Sequence, residues 1–128
     1  MAKGHRSQIK KERNESKDSR PQAHAKYVRV SDTKARIVLE QIKGRNVNAA
    51  MGILTYSPRY AASLIIKVLK SAMANAENNL GMDMENLYVE DVFANQGPTM
   101  RRIRPKARGM AHRIKKRTSH ISIFLNER

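Results

Sequence analysis

The sequence has no cysteine and no tryptophan, and it contains only two Phe and four Tyr among 128 residues. Without cysteine, disulfides, thiolate catalysis and Cys-ligated zinc are excluded, as is typical of a protein from a reducing compartment. The four histidines, His5, His24, His112 and His120, do not show the His-x-x-x-His spacing of a metal site. We therefore expect neither a metal ion nor another cofactor.

Long apolar runs are also missing. The longest, residues 60–66, is far shorter than the ~20 residues that a membrane helix requires. Residues 1–20 lack the apolar core of a secretory signal, and Glu12, Glu15 and Asp18 are unlike an acid-poor transit peptide. These absences predict no membrane association and a cytosolic protein, unless an organelle makes the chain internally.

Acidic residues are scarce as well. The sequence contains 11 Asp and Glu and 26 Lys and Arg, which gives a formal net charge of +15. Residues 1–22 contain seven bases and three acids, residues 23–94 nine and seven, and residues 95–128 ten and one. Such an excess is destabilising through self-repulsion and is typical of a protein with a polyanionic partner. The uneven distribution predicts that the two end regions meet this partner.

A chain of this length builds about one hydrophobic core. Residues 1–22 are polar and highly charged, so we predict a basic tail that is disordered in isolation. Residues 23–128 are predicted to form one α+β domain, with three helices packed on a small antiparallel sheet and a long protruding basic β-hairpin. Ser31 is the predicted N-cap of the first helix, and Ser57 and Pro58 are the predicted N-cap and first residue of the third. The predicted elements are a strand at 25–30, helices at 31–43, 46–56 and 58–79, and strands at 87–94 and 119–126.

The segment between the last two strands is the most unusual part of the sequence. Residues 97–120, "GPTMRRIRPKARGMAHRIKKRTSH", contain nine Lys or Arg and no Asp, Glu, Phe, Tyr or Trp. We predict that the strands continue into it as a ribbon of about 10–12 residues per side, which at ~3.3 Å per residue projects about 35 Å. Pro105 and Gly109 would then lie near the tip, where a residue without a ladder partner and a flexible glycine are tolerated.

The charge of this segment predicts its partner. An isolated two-stranded ribbon is marginally stable in water, and repulsion between like charges weakens it further. Each Lys or Arg that neutralises a phosphate removes repulsion and releases counterions, so RNA would stabilise the ribbon. Arginine predominates, which favours bidentate phosphate contacts, and the lack of aromatics predicts recognition of RNA backbone and shape. The alternative is a solvated basic loop without a partner. The candidate RNA-binding residues are Arg101, Arg102, Arg104, Lys106, Arg108, Arg113, Lys115, Lys116 and Arg117.

Two further basic regions are weaker candidates. The tail could fold on nucleic acid or could simply make the chain more soluble. Basic residues around the first helix could form a nucleic-acid-binding face or could be ordinary surface charges. The members of this second group are Arg29, Lys34, Arg36, Lys43 and Arg45.

The segment "QGPTMRRIRPKARGMAHRIKKRTSHISI", residues 96–123, closely resembles the signature of the universal large-subunit ribosomal protein twenty-two family. In that family a Gly-Pro, a basic pair, a Pro within basic residues, an Arg-Ile and a Lys-Arg-Thr-Ser-His run follow in this order. "ILTY" at 53–56 and "KSAMANAENN" at 70–79 are also similar to that family's helices. The resemblance covers about residues 23–128, and the longer tail before it is unlike the usual bacterial version.

The resemblance implies a structural, non-enzymatic component of the large ribosomal subunit that binds large-subunit rRNA early in assembly. It implies a body near the tunnel exit and a hairpin, at about residues 89–124, that lines the nascent-peptide tunnel close to the macrolide site. Neighbouring ribosomal proteins and the nascent peptide are the further implied partners, and the chain is expected as a monomer within the ribosome. The implied tunnel-facing tip consists of Met100, Arg101, Arg102, Ile103, Arg104, Pro105, Lys106, Ala107, Arg108, Gly109 and Met110.

Two other classes of function are compatible with parts of the sequence. A nucleoid-type protein that binds and bends DNA with a basic ribbon arm would share the charge pattern, although such proteins usually dimerise. A small nuclease would need a metal-binding carboxylate cluster, and neither His112 nor His120 has a nearby carboxylate to orient it as a general base. The acids closest together in sequence are Asp83, Glu85, Glu90 and Asp91. We favour the structural RNA-binding subunit.

Overall fold

The computed structural model describes residues 6–128, with side chains from residue 8 onward. Three of the four α-helices in this range pack on a three-stranded antiparallel sheet, and a two-stranded ladder forms a protruding hairpin. The predicted α+β class is therefore confirmed. The elements are α1 (Arg6–Glu15), β1 (Gln22–Val28), α2 (Asp32–Ile42), α3 (Val47–Tyr56), α4 (Tyr60–Leu80), β2 (Leu87–Gln96), β3 (Met100–Pro105), a 3-10 turn (Ala107–Gly109), β4 (Ala111–Lys116) and β5 (Ser119–Glu127).

The central strand of the three-stranded sheet is β5, with β1 on one side and β2 on the other. Its side chains alternate between the two faces of the sheet, as strand geometry requires. Ile121, Ile123 and Leu125 are fully buried against the helices, while Ser122 and Phe124 lie on the opposite face. The strand predicted at 119–126 is therefore confirmed, and its three apolar residues share one face.

The longest helix, α4, supplies most of the helical side of the core. Its buried residues recur at three- and four-residue intervals, which places them on one face of a 3.6-residue helix. Gly81 ends the helix in the left-handed conformation, with φ 62°, which glycine adopts without a Cβ penalty. The buried set comprises Ala61, Ala62, Ile65, Val68, Leu69, Ala72 and Ala76.

The predicted start of this helix is wrong. Ser57 ends α3 instead, where its backbone N–H donates to the Leu54 carbonyl at 3.3 Å. Because Ser57 and Arg59 both have extended backbone, Pro58 lies in a short connection and α4 begins at Tyr60. Only residues 57–59 separate the two helices, and Ser57 is the C-cap of the first helix, not the N-cap of the second.

The first strand and helix of the body follow local sequence signals more closely. Ser31 is the N-cap of α2, and its side chain accepts a hydrogen bond from the Lys34 backbone N–H at 3.4 Å, as predicted. Strand β1 ends at Val28 rather than at residue 30. Tyr27 has a positive φ of 58°, and its backbone N–H donates to His120 Nδ1 at 3.0 Å instead of to a ladder carbonyl. This irregularity is a bulge, after which Val28 pairs with Ser119 as the last residue of the strand.

Residues 6–15 of the tail form a helix, whereas the sequence predicts disorder in isolation. Every side chain described in α1, from residue 8 to residue 15, is exposed, and the helix carries one exposed ion pair, between Lys11 and Glu15 at 3.9 Å. A helix of this length without burial is marginal in water. Its disorder in the free protein therefore stays a prediction.

A joint connects the hairpin to the body. The β2–β5 ladder ends at the pair Gln96 and Ser119, and the β3–β4 ladder starts at Met100 and Lys116. Between them the Gly97 N–H donates to the Thr118 carbonyl at 2.9 Å, and the Thr118 hydroxyl donates to the Pro98 carbonyl at 2.6 Å. These bonds connect the two strands across the joint, between the end of one ladder and the start of the other.

Candidate nucleic-acid interface

The β3–β4 hairpin presents positive charge on both of its faces. Residues paired across an antiparallel ladder share a face, and successive residues alternate between faces. Arg101 pairs with Lys115 on one face, where Ile103 pairs with Arg113. The other face contains the pairs Met100–Lys116, Arg102–Ile114 and Arg104–His112. A ribbon charged on both sides is suited to a polyanion that surrounds it rather than one that lies against a single side.

Solvent reaches almost the whole hairpin. All residues of β3 and of the turn are exposed, and in β4 only Ile114 is partly buried. Ile103 and Met110 are 68% and 69% exposed, which is unusual for large apolar side chains without a partner. Cations and large apolar side chains are therefore interleaved on the exposed surface of the hairpin.

The hairpin cations have no acidic partners in the part of the chain that the structure describes. The ion pairs found between residues 8 and 128 involve the tail and the body, and none involves a residue of the hairpin. Arg102 donates only to the neighbouring Arg101 carbonyl, at 3.0 Å. All nine predicted RNA-binding side chains are therefore exposed and have no neutralising carboxylate within the described residues.

The tip is a tight turn with an arginine at its apex. The Lys106 N–H donates to the Met110 carbonyl at 2.7 Å, which closes the loop beyond the last ladder pair, Pro105 and Ala111. Arg108 and Gly109 both have positive φ, 59° and 71°. The left-handed conformation disfavours arginine, so the turn keeps a cation at the apex against its local preference.

Gly97 is required by close packing in the joint. A Cβ at this position would lie 2.5 Å from the Thr118 hydroxyl oxygen and 3.2 Å from the Thr118 carbonyl group. Gly97 and Thr118 are both buried. Sequence reasoning missed this pair because the two residues are distant in the chain and only the ladder brings them together.

A groove at the base of the hairpin, which we call the basal groove, joins the hairpin to the body. It has a volume of about 640 Å³ and lies where the end of β4 faces the starts of α2 and α4. Cations from both parts of the molecule line it, and no carboxylate does. Its lining residues are Arg29, Val30, Ser31, Lys34, Arg59, Tyr60, Ala61, Lys115, Lys116 and Arg117.

The basic face considered around the first helix divides into two groups. Arg29 and Lys34 line the basal groove. The other members make contacts within the protein: the Arg36 guanidinium donates to the Ala94 carbonyl at 3.1 Å and Lys43 pairs with Asp91 at 2.9 Å. Arg45, which follows α2, donates to the Gln41 backbone carbonyl of that helix at 3.0 Å. Arg59 and Tyr60, which sequence reasoning missed, complete the groove.

Two of the four carboxylates considered for a nuclease, Glu90 and Asp91, are ion-pair partners of basic residues. Glu90 lies 2.9 Å from Arg20 Nη1, and Asp91 lies 2.9 Å from Lys43. Arg20 also hydrogen-bonds Asp18, which lowers the pKa of that carboxyl to about 2 from 3.8. Within the described residues no group of three or more His, Asp or Glu side chains could hold a metal ion.

No helix in residues 6–128 is both long enough and apolar enough to span a membrane. The fold and the surface together define a small basic protein with an extended hairpin that is suited to nucleic-acid binding. A model of the family described as ribosomal protein L22p/L17e matches residues 23–126. The chain therefore belongs to the ribosomal protein L22p/L17e family.

Curated relatives are similar over the whole chain. The large ribosomal subunit protein uL22 of Lachnoclostridium phytofermentans is 60% identical over 128 residues and that of Lachnospira eligens 59%, each covering 100% of both chains. The protein of the same name from Clostridium novyi is 52% identical over 106 residues, which are 83% of this chain and 96% of that protein. A tail of this length thus occurs in some relatives, while the Clostridium novyi protein is shorter.

Proposed function

We propose that this protein is a structural constituent of the large subunit of the cytoplasmic ribosome and binds large-subunit rRNA mainly through its basic hairpin. The observation that carries the proposal is the set of nine exposed cations, on both faces and at the tip, without a carboxylate partner among the described residues. Membership of a ribosomal protein family supports the same function. The relatives' names give no support to the nucleoid-type alternative.

The mechanism is charge neutralisation and shape fitting, without chemical turnover. RNA on both sides of the ribbon would remove the repulsion between paired cations such as Arg101 and Lys115, and each neutralised phosphate would release counterions. Ile103 and Met110 would fill apolar gaps between nucleotides, which removes their exposed surface from water. Binding of this kind supports assembly, because the hairpin holds separate RNA segments together.

The tip is the part we assign to the polypeptide exit tunnel. All of residues 100–110 are exposed; Met100 pairs with Lys116 at the base of the hairpin, and residues 105–110 lie farthest along the hairpin from the body. About 10 residues on each side separate the sheet from the tip, which at ~3.3 Å per residue corresponds to roughly 30 Å. This reach supports a tip that passes through rRNA to the tunnel wall and faces the nascent peptide. We further propose that the body lies among neighbouring ribosomal proteins and that the protein is a monomer within the ribosome.

The proposal is tested by titrating the protein against large-subunit rRNA and against duplex DNA at several salt concentrations. The hairpin variant Arg102→Gln, Arg104→Gln and Arg113→Gln is compared with the body variant Lys26→Gln, Lys67→Gln and Lys70→Gln. Both remove three charges from exposed positions. We expect the hairpin variant to lower the salt slope for rRNA by roughly 2 to 3, since each phosphate contact contributes about 0.7–0.9, and the body variant to change it little. Equal effects of the two variants, with equal affinity for DNA, would contradict the proposal.

A further inference from the structure

We propose that the basal groove binds a segment of RNA, with its cations on consecutive phosphates and the Tyr60 ring stacked on one base. The inference rests on the proposed function and adds a second RNA-binding site, which differs from the hairpin in the way it recognises RNA. The hairpin offers charge and apolar side chains on a narrow ribbon. The groove offers charge, an aromatic ring and a concave surface together.

The basal groove has a strongly positive lining, which would attract the phosphates of RNA. Six cations from three separate segments converge on it: Arg29, Lys34, Arg59, Lys115, Lys116 and Arg117. None of them takes part in an ion pair with a described residue. The nearby carboxylate of Asp32 lies 3.9 Å from Arg36 and does not line the groove. A concave surface of one charge sign focuses the field and raises the local concentration of anions.

The N-terminal ends of two helices lie at the groove and add backbone N–H donors to its cations. Helices α2 and α4 both begin there, and the N-terminal end of a helix has a partial positive charge. The start of α2 is capped by Ser31, whereas α4 receives no side-chain cap from the described residues. The first N–H groups of α4, at Tyr60 and Ala61, can therefore support a phosphate that the surrounding cations attract.

Tyr60 favours RNA over a simple anion as the ligand of the groove, because its ring can stack on a base. It is the one aromatic residue among those that line the groove, and it is 67% exposed. Base stacking on aromatic rings is a common mode of binding single-stranded RNA. The volume of about 640 Å³ lies within the range of roughly 300–1,000 Å³ of small-ligand sites, so it has room for a nucleotide.

The charge contribution is tested on the full chain with body residues alone, which keeps it separate from the hairpin. The variant Lys34→Gln with Arg59→Gln is compared with Lys67→Gln and Lys70→Gln, since all four side chains are exposed and each variant removes two charges. In the rRNA titration we expect the groove variant to lower the salt slope by about 1.4–1.8 and the affinity near 0.1 M salt by roughly 30-fold. The control is expected to bind like the unmodified protein. Equal slopes for the two variants would overturn the inference.

The stacking contribution is tested with Tyr60→Leu against Tyr56→Leu, whose ring is 90% exposed and does not line the groove. Tyr60→Leu is expected to lower rRNA affinity about fivefold or more at an unchanged salt slope, because stacking involves no counterion release. Affinity equal to that of the Tyr56 variant would overturn the assignment of a base to Tyr60.

The two proposals fail in different ways. If hairpin variants lose affinity and groove variants do not, the groove is not a binding site while the proposed function stands. If neither set loses affinity for rRNA, both proposals fail. Circular dichroism melting of each variant confirms that the body is folded, and the exposure of every substituted side chain predicts unchanged melting.

Discussion

The body and the hairpin use the same kinds of residue under opposite conditions. In the body, Ile121 and Ile123 are fully buried, and their burial stabilises the sheet on its own. In the hairpin, Ile103 is 68% exposed and lies among cations that have no carboxylate partner in the described chain. The body thus contains the interactions that fold it, whereas the hairpin contains interactions that a second molecule completes. A regular β-ladder is therefore not by itself a sign of independent stability.

The largest expected difference comes from the same substitution in the two regions. Ile123→Ala removes a fully buried side chain and should destabilise the protein by about 2–5 kcal/mol. Ile103→Ala removes an exposed side chain and should change stability by no more than about 0.5 kcal/mol. Urea unfolding followed by circular dichroism measures both. Similar losses for the two variants would mean that the hairpin is part of the cooperative core.

The joint between the regions gives the second prediction. Gly97→Ala places a Cβ 2.5 Å from the Thr118 hydroxyl and 3.2 Å from its backbone, so the joint must shift, at a cost of about 1–3 kcal/mol. Gly52→Ala in α3 is the control, because a Cβ there has nothing within 4 Å and alanine favours a helix by about 0.5–1 kcal/mol. Opposite changes in the urea midpoint are expected. A neutral Gly97→Ala would show that the joint is loosely packed.

The third prediction concerns two opposite effects of one hairpin charge. Arg101 pairs directly with Lys115, so Arg101→Gln removes a repulsion and should leave stability unchanged or raise it by up to about 0.5 kcal/mol. The same change should lower the salt slope of rRNA binding by about 0.7–0.9, because one phosphate contact is lost. Unfolding and binding are measured on the same preparation. Loss of stability would indicate that the cation is needed for the free fold.

The smallest effect is expected at the end of the tail, where Arg20 connects Asp18 to the sheet through Glu90. The pKa of Asp18 is lowered to about 2 from 3.8, since the guanidinium favours the charged carboxylate. Its contribution to stability is therefore fully present above about pH 4 and disappears as the pH falls through about 2. Carboxyl carbon shifts measured by NMR against pH should give a midpoint near 2. Arg20→Gln should return it towards 3.8, and an unchanged midpoint in that variant would exclude Arg20 as the cause.

Local patterns in the sequence predicted much of the body. The predicted strand at 119–126, the predicted helix at 58–79 and the predicted Ser31 cap each depend on signals from residues a few positions apart. Such signals survive folding because the neighbours in sequence remain neighbours in space. The start of α4 was missed, since Ser57 can end one helix or begin the next with equal local chemistry.

The hairpin was predictable for a different reason. An acid-free run of nine cations between two strand signals has few alternatives, and the resemblance to a known family pointed the same way. The basal groove was not predictable, because Arg59 and Tyr60 acquire their role only when the starts of two helices meet the base of the hairpin. The same limit applies to Gly97, whose partner is 21 positions away. Residues that are distant in the chain and meet only in the folded protein leave no periodic signal in a single sequence.

The most direct test of the central claim is amide hydrogen exchange across residues 100–116, in the free protein and in its complex with large-subunit rRNA. We predict rapid exchange of the ladder amides in the free protein, strong protection of the amides of both β3 and β4 in the complex, and little change for β5 in the body. A hairpin as protected as the body when free, or one that stays unprotected in the complex, would contradict the account.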